Sequence, residues 1–278
     1  MLVGTPLGNR ADLSPRARDA LFEADLLLCE DTRSPTRLLG NGVKLPPRVS
    51  CFVGNERECV AVMLEHLQRG EIVAYATEAG LPMFSDPGRV LVAAAVDAGH
   101  GVDVVPGPTA ATVAVVHSGF ATDEVRLLGF LPRSGTDRQA RLMDISDARA
   151  TVVLYEAGNR VSALFRDLAQ YVPDGGARRA IVARELTKVH QEILRDTIAG
   201  LAERLTEPLR GEVTVVVERS TRASTQAHDD QCRRAREVLD IVLDSALTPR
   251  QRAKRLAELT GMDARDIYDK WIRAKREF

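Results

Sequence analysis

Through the first 118 positions, short runs of leucine and β-branched residues alternate with longer stretches whose apolar residues recur at helical spacing. Glu71–Ala76 predicts a strand, Thr77–Gly88 a loop, and Arg89–Ala98 a helix closing at Gly99. A second unit follows at once. Val102–Val105 reads as a buried strand, Pro106-Gly107-Pro108 breaks it, and Thr109 is placed to cap a helix over Ala110–His117. Ala24–Cys29 is a third strand, running straight into Glu30-Asp31-Thr32-Arg33. Such alternation predicts an open, mostly parallel sheet, in which ligands bind beyond the carboxyl ends of the strands. The chemistry is therefore expected in the three loops that follow these strands.

Beyond a hinge at Gly119–Glu124 the pattern restarts, with strands at Thr151–Tyr155, Arg179–Ala183 and Gly211–Glu218 and a helix at Arg160–Gln170. From about Asp229 the strand signal is gone. Arg233–Leu243 and Pro249–Leu259 read as amphipathic helices, and Thr260–Asp263 leads to another at Ala264–Lys275. The expectation is an α/β protein with α/β domains at 1–118 and 125–222 and a small helical, helix-turn-helix-like appendage at 229–278.

Composition narrows the class. With 45% hydrophobic and 28% charged residues the chain sits in the ordinary globular range. Its longest apolar runs, Val90–Val96 and Ala110–Val116, fall far short of the ~20 residues of a membrane-spanning helix. The start Met1–Pro6 lacks a basic region followed by a long apolar run, so a cytoplasmic protein is expected. Cys29, Cys51, Cys59 and Cys232 form no CxxC pair and the five histidines no HxxxH or HExxH spacing, so no metal is expected. A net charge of −1 announces no nucleic-acid binder through bulk charge, and any basic surface must be local.

Several motifs carry chemistry. Gly4-Thr5-Pro6-Leu7-Gly8-Asn9 matches neither GxGxxG nor GxxxxGK[ST]; it is a tight or closely packed turn, or a ligand-lining loop without phosphate contacts. Glu30-Asp31-Thr32-Arg33 either caps the next helix or orients a hydroxyl and a phosphate. Thr77–Gly88 exceeds the usual ~2–6 residues of a βα loop. It is either an ordinary surface loop or one whose carboxylates, exposed backbone and aromatic ring suit a nucleoside. Pro106–Thr109 is either a plain joint or a place where glycine lets a ligand approach the backbone. Arg250, Arg252, Lys254 and Arg255, with Lys270, Arg273, Lys275 and Arg276 beyond, form either a solvated face or an RNA contact.

Taken in order, VGTPLGN (Val3–Asn9), CEDTR (Cys29–Arg33), EAGLPMFSDPG (Glu78–Gly88), VVPGPTAA (Val104–Ala111), GFLPR (Gly129–Arg133), Tyr155-Glu156 and ARELTK (Ala183–Lys188) form a series. The series resembles the tetrapyrrole methylase superfamily, and within it the 16S ribosomal RNA cytidine 2′-O-ribose methyltransferases; Leu247–Tyr268 is similar to their helical tail. The resemblance implies two α/β domains with an S-adenosylmethionine cleft between them, and a homodimer. It also implies cofactor contacts at Glu78, Ala79, Gly80, Pro82, Phe84, Ser85, Asp86, Gly107, Pro108, Thr109, Leu154, Tyr155, Glu156, Ala183 and Arg184. The RNA side, as the resemblance has it, takes Glu30, Asp31, Thr32 and Arg33 as catalytic residues. Arg133 faces that side by the same resemblance; Lys188 and the tail cations Arg250, Arg252, Lys254 and Arg255 are further expected RNA contacts, with 16S RNA or the small ribosomal subunit as partner. The chain departs from the family at Thr77–Pro82, where Ser-Asp-Ala-Gly-Thr-Pro is usual, and at Cys51–Glu56 and Ala157–Asn159.

Methyl transfer to a ribose hydroxyl depends on alignment and on a base for the leaving proton. Glu30 or Asp31 is expected to accept that proton while Arg33 grips a phosphate. The alternatives are a C-methyltransferase acting on a corrinoid or porphyrin precursor, and a non-catalytic RNA-binding paralogue.

Overall fold

The computed structural model describes residues 1–40, 42–172, 176–220, 236–244, 247–260 and 262–277, the stretch 271–277 as backbone alone. The chain divides into two compact units, Met1–Arg219 and Ser220–Phe278. In the first unit, strands β1 (Leu2–Val3), β2 (Leu26–Cys29), β3 (Arg48–Ser50), β4 (Val73–Ala76) and β5 (Val104–Val105) form a sheet in the order β3-β2-β4-β1-β5. Every pairing in it is parallel. β2 and β4 are buried at all positions, as strands covered on both faces must be. Alternate residues of β2 enter opposite cores. Leu26 and Leu28 meet Cys59 and Met63 of α3 (Glu56–Gln68) and Leu91 and Ala95 of α4 (Arg89–Asp97). Leu27 and Cys29 meet Ala17, Ala20 and Leu21 of α1 (Pro15–Glu23). The parallel arrangement puts the loops after β2, β4 and β5 at one edge of the sheet, as the alternation predicts.

The second sheet, β6 (Val125–Phe130), β7 (Thr151–Ala157), β8 (Arg179–Arg184), β9 (Glu192–Thr197) and β10 (Glu212–Val217), runs β6-β7-β10-β8-β9. Only β6 and β7 are parallel; the other pairings are antiparallel. Three helices cover one face: α6 (Gly135–Asp147), α7 (Val161–Tyr171) and α8 (Ile198–Arg204). The opposite face is covered by α5 (Ala110–Ser118), whose Ala111, Ala114 and Val115 pack on Val153, Tyr155, Ile181, Ala183 and Val216. Thr109 caps α5 as expected, its Oγ1 accepting the Thr112 N–H at 3.2 Å. The segment joining α5 to β6 is tied down. Gly119 ends the helix at φ 66°, the Thr151 hydroxyl donates to the Ala121 carbonyl at 2.6 Å, and Arg219 pairs with Asp123 at 2.8 Å.

Several elements are silent in the hydrophobic pattern: β3, β6, β9, α1, α3 and α6. β3, β6 and β9 lie at sheet edges, where exposed positions such as Val125 and Leu127 blur the alternation.

In the second unit, helices run over Pro249–Thr260 and Ala264–Glu277. Thr248 and Gln251 build a reciprocal cap: the Thr248 Oγ1 accepts the Gln251 N–H at 3.3 Å and the Gln251 side chain accepts the Thr248 N–H at 2.9 Å. Asp263 starts the second helix by accepting from Arg265 and Asp266. Residues 236–243 are helical; the expected start at Arg233 lies outside the described residues. Among the described residues no helix is long and apolar enough to cross a membrane.

One close approach holds the first sheet's loops together. A Cβ on Gly4 would stand 2.6 Å from Gly107 Cα, and one on Gly107 2.7 Å from Gly4 Cα, so neither position has room for a side chain. Gly107→Ala is expected to destabilise the protein by about 1–3 kcal/mol, the usual cost of overpacking, and thermal unfolding checks it. An unchanged Tm would show that the two backbones part freely.

Candidate active site

Three loops of the first half are stitched to one another. Thr5 and Gly80 exchange backbone hydrogen bonds at 2.9 and 3.1 Å, and the Leu81 N–H donates to the Pro108 carbonyl at 3.0 Å. Gly80, at φ 85°, passes so close to Pro108 that a Cβ would lie 3.1 Å from its carbonyl oxygen. These contacts answer what Gly4–Asn9 does. Gly4 packs on Gly107, and a Cβ on Gly8 would lie 2.3 Å from the Lys188 stem, so both glycines serve close packing while Leu7 faces a cavity.

That cavity, about 430 Å³, lies between the two sheets of the first unit. Its first-half wall carries Leu7, Glu30, Glu78, Ala79, Gly80, Leu81, Phe84, Ser85, Asp86, Thr109 and Ala110. Its second-half wall carries Phe130, Tyr155–Ala157, Ala183, Leu186, Lys188 and Gly211–Thr214. Twelve of the residues singled out in the sequence thus meet here: Glu30, Glu78, Ala79, Gly80, Phe84, Ser85, Asp86, Thr109, Tyr155, Glu156, Ala183 and Lys188. Asp31, Thr32, Arg33, Pro82, Gly107, Pro108, Arg133 and Arg184 are not in the wall. Leu154 is fully buried in the core behind the second sheet.

Some lining groups already have partners. Glu156 accepts the Ala157 N–H at 2.9 Å and is gripped by Arg160 at 3.0 Å. Lys188, expected on the RNA side, stands in the wall with its ammonium 3.2 Å from both Glu185 and Glu212. Arg184 pairs with Glu192 at 3.1 Å. Glu30 accepts the Glu78 N–H at 3.1 Å, and burial pushes its carboxyl above the ordinary range. Asp86 is pushed up to about 6, first by burial and then by the negative charges of Glu30 and Glu212.

Outside the wall, Asp31 is clamped. Arg33 donates from Nε at 2.9 Å, from Nη2 at 2.9 Å and from its backbone N–H at 2.9 Å, and Arg37 donates at 2.9 Å. These bonds hold the Asp31 carboxyl down at about 2. Asp31 does not cap α2 (Ser34–Leu39), which has no side-chain cap. The stretch Cys51–Glu56 is structural: Asn55 ties back to Ser50 at 2.8 Å, and Glu56 accepts the Gly88 N–H at 2.7 Å, anchoring the far end of the 77–88 loop.

In the second unit Arg250, Lys254 and Arg255 are exposed, with the Arg250 guanidinium 5.9 Å from the Tyr268 ring centre. Arg252 is half-buried and donates to the Asp244 carbonyl.

Sequence reading misses Phe130, Gly211–Thr214 and Arg37. Arg37 had a signal, being one helical turn beyond Arg33. Phe130 follows a register shift in β6 and lies 5.7 Å from the Tyr155 ring. The start of β10 had no signal: Glu212 reaches the wall because β10 runs antiparallel between β7 and β8, pairing Glu212 with Ala157 and Val213 with Arg184 at their carboxyl ends.

The Asp86 carboxyl has a consequence for stability. Its folded value of about 6 exceeds its ordinary 3.8, so between these values the folded state binds the proton more tightly and stability falls as pH rises. Above about 6 the full cost is present. Asp86→Asn is therefore expected to raise Tm at pH 7 and to match the parent below about pH 4, as thermal melts across pH check. A variant less stable than the parent at pH 7 overturns this.

Comparison with known proteins fits this architecture. Residues 1–202 match the model of the Tetrapyrrole (Corrin/Porphyrin) Methylases. The ribosomal RNA small subunit methyltransferase I of Mycobacterium bovis is 36% identical over 100% of this chain and 95% of that protein. Its namesake in Synechocystis is 35% identical over 96% of this chain and 95% of its own, and that of Thermotoga maritima 37% over 78% and 96%. Among solved structures, cobalt precorrin-4 methyltransferase superposes with a TM-score of 0.59 at 17% identity, covering 78% of this chain and 93% of that one. Uroporphyrin-III C-methyltransferase of Thermus thermophilus, complexed with S-adenosyl homocysteine, gives 0.53 at 20%, covering 77% and 90%. With a family model spanning most of its length and relatives over a third identical from end to end, this chain belongs to the tetrapyrrole methylase family, in the branch of the ribosomal RNA small subunit methyltransferases.

Proposed function

We propose that this chain transfers a methyl group from S-adenosylmethionine to the 2′-hydroxyl of a cytidine ribose in 16S ribosomal RNA. The observation that carries the reading is the contrast in kinship: 36% identity along the whole chain to a ribosomal RNA methyltransferase, against 17–20% to the corrin and porphyrin methylases over about three quarters of it. The cavity suits the cofactor. Its volume lies within the ~300–1,000 Å³ of small-molecule sites. Leu7, Leu81, Phe84 and Phe130 offer apolar surface to an adenine ring, and Glu30 and Asp86 offer negative charge to a cation. When bound, S-adenosylmethionine supplies an electrophilic methyl on a positively charged sulfur. The chain itself has to hold and align the two substrates, and alignment is a large part of such catalysis.

The geometry separates Glu30 from Asp31. A carboxylate held near 2 with both oxygens occupied is a feeble proton acceptor, so Asp31 is a positioning residue that fixes Arg33 and Arg37 side by side. Both guanidiniums are exposed, that of Arg37 lying 3.7 Å from Glu78 of the cavity wall, and their remaining N–H groups suit an RNA phosphate. Arg133 and the basic tail extend this role. A cytoplasmic location and a homodimer belong to the same reading.

Incubating the protein with S-adenosylmethionine and unmodified small ribosomal subunits, then mapping 2′-O-methylation by nucleotide, is expected to give one new methyl on a cytidine. No methylation with cofactor binding intact would move the acceptor to another RNA or a tetrapyrrole. Arg33→Ala and Arg37→Ala are each expected to weaken RNA binding, to lower its salt dependence by about one phosphate contact, and to leave cofactor affinity unchanged. A loss of cofactor affinity would reassign the pair.

A further inference from the structure

Five carboxylates line the cavity, and four have partners. Glu156 is held by Arg160, Glu212 by Lys188, Glu78 accepts from the Ser34 hydroxyl at 3.2 Å, and Glu30 accepts the Glu78 N–H. Among the described residues, no hydrogen bond or ion pair reaches the half-buried carboxylate of Asp86. Its backbone, in contrast, is tightly determined. Met83 and Ser85 both sit in the left-handed region, at φ 76° and 72°, an arrangement that side-chain-bearing residues keep only where their surroundings impose it. Ser85 Oγ rests on the backbone of Gly129 in the second half, 3.1 Å from where a Cβ would stand, and Gly88 N–H is tied to Glu56. An acid with a fixed backbone and no donor is a group presented to something the protein itself does not supply.

We propose that Asp86 is the general base of the methyl transfer, its carboxylate taking the proton of the acceptor hydroxyl as that oxygen attacks the methyl carbon. This rests on the reading of the chain as an RNA 2′-O-methyltransferase. The new O–C bond forms as the C–S bond breaks; the bonding pair leaves with sulfur, which becomes a neutral thioether, and the proton ends on Asp86 before passing to water. Positive sulfonium and negative carboxylate are consumed together, so charge balances. A base poised near neutral pH serves such a step best, and the carboxyl lies close to that range. The ionisable groups facing it are Glu30 after β2, Tyr75 of β4, Glu78 in its own loop, Tyr155 and Glu156 of β7, Lys188 between β8 and β9, and Glu212 of β10. Lys188 is the cation among them and is already paired to Glu185 and Glu212.

The test uses the full chain, S-adenosylmethionine and unmodified small ribosomal subunits. Single-turnover rates against pH are compared for the parent, Asp86→Asn, Asp86→Glu and Glu30→Gln, with cofactor Kd by calorimetry and carbon-13 NMR of the labelled aspartate carboxyls. The parent rate is expected to rise with pH and level off above about 6. Asp86→Asn should lose roughly 10²–10⁴-fold in rate, together with that acidic limb, at unchanged Kd. Asp86→Glu should keep the limb and recover part of the rate, and the NMR signal missing from Asp86→Asn should titrate near pH 6. Near-parental turnover in Asp86→Asn, a parallel loss of cofactor affinity, or transfer of the limb's loss to Glu30→Gln would each overturn the assignment. A parent that binds cofactor yet leaves the subunits unmethylated overturns the acceptor reading on which it rests.

Discussion

The active site depends on the burial of α5 against the second sheet. This helix leaves the first sheet at Thr109, yet its Ala111, Ala114 and Val115 are buried among Val153, Tyr155, Ile181, Ala183 and Val216 of the second. Its buried residues are small enough to let helix and sheet approach closely. Because Thr109 and Ala110 are also cavity wall, the packing that joins the halves sets the distance across the site. Leu7 belongs to the same cluster, so the first loop is drawn into that seam as well.

Around this seam the glycines work by absence. Gly4 and Gly107 let two backbones touch, and Gly8 leaves room for the Lys188 stem. Asn9 then accepts an anchor from the other half, its N–H donating to the Thr187 hydroxyl at 3.1 Å. The loops that line the cavity are thus braced by backbone contacts and not by large side chains, which keeps its floor open for a ligand.

Electrostatics divides the neighbouring acids by environment. Asp31, half-buried and doubly clamped by guanidiniums, is a permanent anion that orients cations; Asp86, half-buried among other acids, titrates where a proton can be exchanged. Two aspartates on loops of the same sheet edge acquire different roles because one meets arginines and the other meets Glu30 and Glu212. An acid kept in that setting costs stability, as residues held for function commonly do.

The sequence by itself determined the α/β alternation, the strands β2, β4, β7, β8 and β10, the Thr109 cap and most of the cavity wall, because buried strands and loop motifs are written in local runs of residues. The fate of each motif residue was not local. Whether Asp31 caps a helix or clamps Arg33 and Arg37, whether Glu156 faces a ligand or Arg160, and whether Glu212 reaches the site at all depend on partners that are distant in sequence or set by strand order. Leu154 and Tyr155 are adjacent in the chain, yet the pleat sends one into the core and the other to the cavity. Only the tertiary structure decided these, since charge, burial and hydrogen bonding belong to the assembled surroundings and not to the residue.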